Sequence, residues 1–296
     1  MTAPLHVEIR GTGPDLVLLH GWALHGGMWG PWLDELARRA RLHLIDLPGH
    51  GRSPWPAGAS TLRDLARAVS PHVPNGAAVL GWSLGGMVAL ELARSRPGDL
   101  AALVLIATTP CFLARDDWPV GMNPGVLDGF AAGLAGDYRR TLTNFLALQT
   151  WGDENASQAL RSLRANLDSH GEPDPQALVA GLGILRTADL RDALAAITVP
   201  TLVIAGEHDR ITPVAAGREL ASRLPSARFV EVPKAEAFDI PPIRGSTASV
   251  KPRNRLPVSP MKIMAGGKFR SFFIPSTSFR DMASYRFLNT IFFSAR

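Results

Sequence analysis

Strand-like apolar runs alternate with amphipathic helical stretches along most of this chain, and that alternation limits the possible folds more than any other feature. Strand candidates are "LHVEIRG" (5–11), "DLVLLHG" (15–21), "RLHLIDLPG" (41–49), "AAVLGWS" (77–83) and "LAALVLIAT" (100–108). Between them lie "GPWLDELARRA" (30–40), "STLRDLARAVSPHV" (60–73) and "LGGMVALELARSRP" (84–97), whose apolar residues recur at helical spacing. The pattern resumes at "VPTLVIAGEHD" (199–209), "VAAGRELASRLP" (214–225) and "ARFVEVP" (227–233). Strands that are apolar along their length and separated by helices predict an α/β domain: a mostly parallel sheet with helices on both faces.

Residues 111–190 interrupt the alternation. They are helical in character throughout, with no convincing strand. An all-helical insertion after a strand reads as a cap over the carboxyl edge of the sheet, where open α/β sheets bind ligands. The expected division is therefore a core from 1–110 and 191–236, a cap from 111–190, and a tail from 237–296 unlike either.

Charge separates the tail further. Residues 240–296 carry ten Lys/Arg and one acid, Asp281, whereas residues 1–239 carry 21 Lys/Arg against 25 acids. The net charge of +5 thus belongs to the tail, and without a nucleic-acid-binding module it does not argue for a nucleic-acid partner. Seven of the 12 phenylalanines also lie there, without helical spacing. No apolar run approaches the roughly 18 residues of a membrane span, and the start "MTAPLHVEIRG" lacks the features of a secretory signal. The lone cysteine, Cys111, suits a reducing compartment. A cytoplasmic protein without membrane partner is expected. No metal or cofactor is expected either: ligand clusters are absent, and "GTG" at 11–13 lacks the rest of a phosphate loop.

The chemistry is carried by short motifs at strand ends. "LGWSLGG" (80–86) holds Gly81-Trp82-Ser83-Leu84-Gly85, a G-x-S-x-G pattern at a strand-to-helix junction. Such a turn exposes the serine hydroxyl at the sheet edge, and the flanking glycines let neighbouring backbone approach. Ser83 is the candidate nucleophile. "LLHGWALHGGMW" (18–29) supplies a loop whose Trp22 N–H, with the Leu84 N–H, would form an oxyanion hole. His20, and the group Asp46, His50 and Arg52 in "DLPGHGRS" (46–53), read as loop-fixing rather than catalytic. "LVIAGEHDRITP" (202–213) ends a strand with Glu207, His208 and Asp209. Chain order for this arrangement is Ser, acid, His, and Asp209 is the better-placed acid, with Glu207 the competitor.

These stretches resemble the α/β-hydrolase superfamily over residues 1 to about 236. Within it they look most like the pimeloyl-acyl-carrier-protein methyl ester carboxylesterases of biotin synthesis, through "HGWALHGGMW", "LPGHGRS", "GWSLGG", "FLALQTWG" (145–152) and "GILRTADLRDAL" (183–194). The resemblance implies a carboxylesterase with Ser83 as nucleophile, Asp209 as the acid, and a pocket from Trp22, Leu84, Phe145 and Gln149. It also implies an acyl-carrier-protein partner held by cationic cap residues, for which Arg140 and Arg161 match best, with Arg139 and Arg164 nearby. A monomer is expected. Other readings are a capped hydrolase of a different ester or lactone, and a binding protein without turnover.

One element of the pattern is missing. The family places its base in a stretch like "KAxHAPF", whereas this chain has "KAEAF" (234–238), and all eight histidines lie at or before His208. His208 itself adjoins Asp209 and is poorly placed to relay a proton along a line. One permitted back-translation of "AFDIPPIRG" (237–245), read in a shifted frame, gives Ala-Pro-Ser-Ile-Phe-Pro-Gln-Ser-Glu, which resembles the family's continuation. With the change in charge at the same point, residues from about 237 onward read as a frameshifted or replaced terminus. A chain built this way is expected to be nearly inactive.

Overall fold

A computed structural model describes residues 4–149, 170–233 and 235, except Pro31 and Ala57, together with the backbone of two strands at 261–265 and 268–272. The chain divides into two compact units, Met1–Gly245 and Ser246–Arg296.

The first unit is built on a seven-stranded sheet. In chain order its strands are β1 (Val7–Arg10), β2 (Asp15–Leu19), β3 (Arg41–Ile45), β4 (Ala78–Trp82), β5 (Ala102–Ile106), β6 (Thr201–Gly206) and β7 (Ala227–Val232). Their spatial order is β1-β3-β2-β4-β5-β6-β7, and only β1 runs antiparallel to its neighbour. Every residue of β4, β5 and β6 is buried, as strands covered on both faces must be. The sequence reading placed all seven strands.

Helix α1 (Trp32–Ala37) packs on β3, α2 (Leu62–Val69) packs on α3 (Leu84–Ser95), and α3 packs on β2, β4 and β5. Local sequence sets the ends: Thr61 and Asp64 close α2 with a reciprocal capping box, so its first amides are satisfied without tertiary help.

Between β5 and β6 come α4 (Pro124–Gly136), α5 (Tyr138–Gln149) and α6 (Pro175–Thr187). Asn-Pro starts α4 and Asp-Pro starts α6: Asn123 and Asp174 accept from the amides of Gly125 and Gln176, while proline fixes φ where no N–H is needed. Residues 150–169 of the expected helical insertion lie outside the described residues. Besides helices, the described residues of the insertion hold isolated bridges of Cys111 with Asp189, Leu113 with Met122 and Arg115 with Trp118. Its two ends are clamped by Arg191. That guanidinium meets both oxygens of Asp189 (2.9 and 2.7 Å) and Asp117 Oδ2 (2.8 Å), and lies 5.6 Å from the Trp118 ring centre. Cys111 is buried here, and burial pushes its thiol pKa up, which favours the unreactive thiol form.

After β6, α7 (Val214–Arg223) packs on β6 and β7. The edge strand β7 is half-buried along its length. In the second unit, β8 (Met261–Ala265) pairs antiparallel with β9 (Lys268–Phe272). The sequence spacing marked out no element in the tail. The remaining expectations for the tail fall on residues outside those described.

Candidate active site

Parallel strands bring their carboxyl ends to one edge, and register makes those ends level. Leu19 of β2 pairs with Gly81 of β4, Trp82 with Ile106 of β5, and Ile106 with Ile204 of β6. The segments His20–Trp22, Ser83, Thr108 and Asp209 therefore emerge side by side.

Ser83 joins β4 to α3 with φ 53° and ψ −118°, a conformation that L-residues rarely adopt. It stands at the N-cap of α3 yet makes no capping bond with its side chain, so the hydroxyl is left for other chemistry. The surrounding backbone holds it there. Ser83 N–H donates to Ile106 O (2.9 Å), and its carbonyl accepts from the N–H groups of Gly86 and Met87 and from Thr108 Oγ1 (3.0 Å). A Cβ at Gly81 would sit 2.5 Å from Gly85 O, and one at Gly86 would collide with Thr108 Oγ1, so both glycines are required by space.

The first loop faces the elbow closely: a Cβ at Gly21 would lie 2.6 Å from Trp82 Cε3 and 3.3 Å from Ser83 Cβ. His20 shapes this loop. Its Nε2 accepts from Leu47 N–H (2.8 Å), which places the proton on Nδ1, and Nδ1–H donates to Gly21 O (2.8 Å). Full burial, with nearby His50 adding to it, lowers the His20 pKa to about 3, so the imidazole stays neutral. In a trans peptide the N–H points opposite to the carbonyl, so fixing Gly21 O also aims Trp22 N–H away from His20. Neither Trp22 N–H nor Leu84 N–H has a hydrogen-bond acceptor among the described residues.

Asp46 does the loop-fixing work expected of it. Its Oδ1 accepts from Gly26 N–H (2.6 Å) and its Oδ2 from Arg52 N–H (3.0 Å), tying the two loops together. His50 is buried and donates from Nδ1 to Pro48 O (2.9 Å).

Asp209 lies beyond β6 and is buried, whereas Glu207 and His208 are exposed. Asp209 Oδ1 accepts from the N–H groups of Ile211 and Thr212 (both 2.8 Å), and Oδ2 accepts from Thr212 Oγ1 (2.5 Å). Burial pushes its pKa from 3.8 up to about 6, against the opposing pull of those bonds. With β5 between β4 and β6, Ser83 and Asp209 stand about two strand spacings apart, ~10 Å, so an imidazole would be needed to join them. Among the described residues Ser83 Oγ has no hydrogen-bond partner, and the Asp209 carboxylate meets only its own loop.

Of the cap residues expected here, Phe145 is buried with its ring edge-on to Trp22, the centroids 4.9 Å apart. Gln149 is the last residue of α5, and its side chain lies outside the described residues, as does Arg161. Arg140 is exposed near the start of α5, its N–H donating to Asp137 Oδ1 (3.0 Å), and Arg139 pairs with Glu172. Two supports went unread in the sequence, Thr108 beneath Ser83 and Thr212 beside Asp209. Thr212 is three residues after Asp209, a spacing at which local side-chain hydrogen bonds form, and that signal was available. Among the described residues no group of His, Cys, Asp or Glu is placed to hold a metal, and no helix is long and apolar enough to cross a membrane.

The family described as the alpha/beta hydrolase fold matches residues 14–241. The chain belongs to that family. Curated alpha/beta hydrolase relatives include the pimeloyl-[acyl-carrier protein] methyl ester esterase of Nitrosomonas europaea, 44% identical over 231 residues, spanning 78% of this chain and 91% of that protein. The protein of the same name from Aeromonas hydrophila is 46% identical over 230 residues, 77% of this chain and 90% of its own. Among solved structures, an esterase from Exiguobacterium antarcticum superposes with a TM-score of 0.72 at 23% identity, covering 79% of this chain and 88% of that one, a likeness of fold. The alpha/beta hydrolase match stops at Pro241.

Proposed function

We propose that this chain is a serine carboxylesterase in plan, directed at the methyl ester of a pimeloyl-acyl-carrier protein in biotin synthesis. The observation that carries the reading is Ser83 at a strained strand-to-helix turn, with two N–H groups beside it that have no acceptor among the described residues, in a chain 44% and 46% identical to proteins named for that reaction.

Each part has a role. Ser83 Oγ attacks the ester carbonyl, and the oxyanion that develops is bound by the N–H groups of Trp22 and Leu84. Collapse expels methanol and leaves an acyl-serine, which water hydrolyses to the free acid. The acyl site is assigned to Trp22, Leu84, Phe145 and Gln149, Asp209 is the acid that would orient a histidine, and recognition of the carrier protein is assigned to Arg140 and Arg161. The expected state is a cytoplasmic monomer, with 111–190 serving as the cap.

Both steps need a base, and the chain supplies no histidine after His208. In subtilisin, losing the triad histidine costs on the order of 10⁶ in kcat. This chain is therefore an esterase scaffold with a greatly reduced rate. A second reading, a binder of the acylated carrier protein without turnover, is favoured by one observation: among the described residues nothing links Ser83 to Asp209.

Hydrolysis of a methyl pimeloyl ester by the full chain, with Ser83→Ala as control, tests the proposal. Slow, Ser83-dependent release of methanol is expected. Tight retention of ester or product with no Ser83-dependent release would favour the binder. Turnover at ordinary enzyme rates would mean a base exists elsewhere in the chain.

A further inference from the structure

Trp22 carries two functions on one residue. Its backbone N–H belongs to the site at the sheet edge, while its side chain reaches into the helical insertion. The indole is buried, its Nε1–H donates to Leu178 O of α6 (3.0 Å), and its ring stands perpendicular to that of Phe145 from α5, the centroids 4.9 Å apart. One turn along α6 from Leu178 stands Gly181, where a Cβ would fall 2.5 Å from Trp22 Cδ1 and 2.8 Å from Nε1. No side chain fits there while the indole is in place.

Glycine inside a helix is costly, by roughly 0.5–1 kcal/mol relative to alanine. Two residues on, Gly183 sits in the same helix with nothing within 4 Å of its would-be Cβ. The two glycines therefore differ in kind: one faces open space, and the other is the floor of a slot holding the indole. Trp22 is followed by Ala23 at φ 64°, so the loop takes an unfavourable turn immediately after the anchored residue. A loop strained at that point keeps its shape only if its neighbours are held.

We infer that Gly181 is a positioning residue: its empty side-chain position seats the Trp22 indole on α6, and through that seat the cap holds the oxyanion N–H in place. The inference rests on the esterase reading, since it assigns Trp22 N–H to the oxyanion. It makes α6 part of the machinery of acylation although Gly181 touches no reacting atom. A cap that lifts would carry the indole with it, and the donor would turn away from the carbonyl.

The test uses the full 296-residue chain and p-nitrophenyl acetate, whose phenolate leaves unprotonated while the Ser83 hydroxyl proton passes to water or buffer, so that slow acylation of Ser83 is readable without a resident base. Three variants are compared with the parent: Gly181→Ala, Gly183→Ala and Trp22→Phe. Gly181→Ala should lower Ser83-dependent acylation about tenfold or more, approaching the loss seen when one oxyanion donor is removed, with little change in KM. It should also shift the Trp22 indole N–H proton resonance and speed its exchange with solvent. Gly183→Ala should change neither. Should Gly181→Ala not fold, Trp22→Phe carries the same question, because it keeps the backbone N–H but loses the anchor to Leu178, and it should slow acylation likewise.

An unmoved indole resonance in Gly181→Ala overturns the inference, as does acylation equal to that of Gly183→Ala, or a Trp22→Phe chain as fast as the parent. A parent no faster than Ser83→Ala is a different result. It sinks the esterase reading, and the oxyanion assignment falls with it, whereas an altered resonance would still show that Gly181 seats the indole.

Discussion

Thr212 Oγ1 stands 2.5 Å from Asp209 Oδ2, and this hydroxyl and two backbone amides are the hydrogen-bond donors that meet the Asp209 carboxylate among the described residues. A buried carboxylate held only by its own loop depends on each of those donors. Thr212→Val removes one and leaves an acceptor oxygen buried without a partner. The expected loss is about 1–3 kcal/mol at pH 7, measured by urea unfolding. The loss should shrink below pH 5, where the carboxyl is protonated and can donate. A pH-independent loss would mean the hydroxyl contributes by packing alone.

Asp209 and His20 pull stability in opposite directions with pH. The folded pKa of Asp209 is about 6 against 3.8 in the unfolded chain, so its contribution is fully present below pH 3.8 and is lost as pH rises through about 6. His20 is held at about 3 against 6.5, so its contribution is present above pH 6.5 and is lost as pH falls toward 3. Between pH 4 and 6 the two slopes oppose each other, each ~1.4 kcal/mol per pH unit. Asp209→Asn removes one of them. Its stability should therefore rise more steeply with pH over that window than the parent's, by about that amount per unit. Denaturant unfolding at several pH values measures the difference, and parallel curves would contradict the Asp209 shift.

Gly86 faces Thr108 with no room for a methyl group. Gly86→Ala should push Thr108 off its bond to the Ser83 carbonyl and destabilise the chain by about 3 kcal/mol or more. The companion Gly86→Ala/Thr108→Ala should recover part of that loss. Thermal unfolding of the single and double variants measures this, and equal melting temperatures would place the strain elsewhere.

The clamp at the base of the insertion makes a further prediction. Arg191 meets Asp189 through Nε and Nη2 and Asp117 through Nη1, to its carbonyl, and Nη2, to its carboxylate, a fork that an ammonium cannot copy. Arg191→Lys should loosen the clamp, chiefly through Asp189, because Asp117 is largely exposed to solvent and its pairing is screened. Proteolysis should then cut first near the two ends of the insertion, and an unchanged cleavage pattern would show that the bridges there suffice alone.

Alternation of apolar runs and helical stretches was enough to place the sheet, because strands buried on both faces leave a continuous apolar signature. Ser83 was legible because its turn demands glycines at fixed offsets. His20 and Asp46 were legible as supports from their Gly/Pro-rich loops. Thr108 and Gly181 were not, since each acts through a residue distant in sequence: Thr108 on Ser83, and Gly181 on Trp22. A threonine after a strand and a glycine in a helix carry no local mark of such partners. The strand pair β8–β9 escaped notice because its residues mix charge and apolar character without strict alternation.

Ser83 keeps its φ of 53° although the chain carries no histidine beyond position 208. For a non-glycine residue that geometry costs on the order of 1 kcal/mol or more, and glycine would adopt it freely. In an enzyme, selection for turnover opposes that exchange. In a lineage that inherited this chain without its base, nothing would, and position 83 would be free to drift toward glycine while the sheet around it stayed unchanged. In such a lineage the elbow would be a clock as well as a fold element, its residue at position 83 recording the time since the base went.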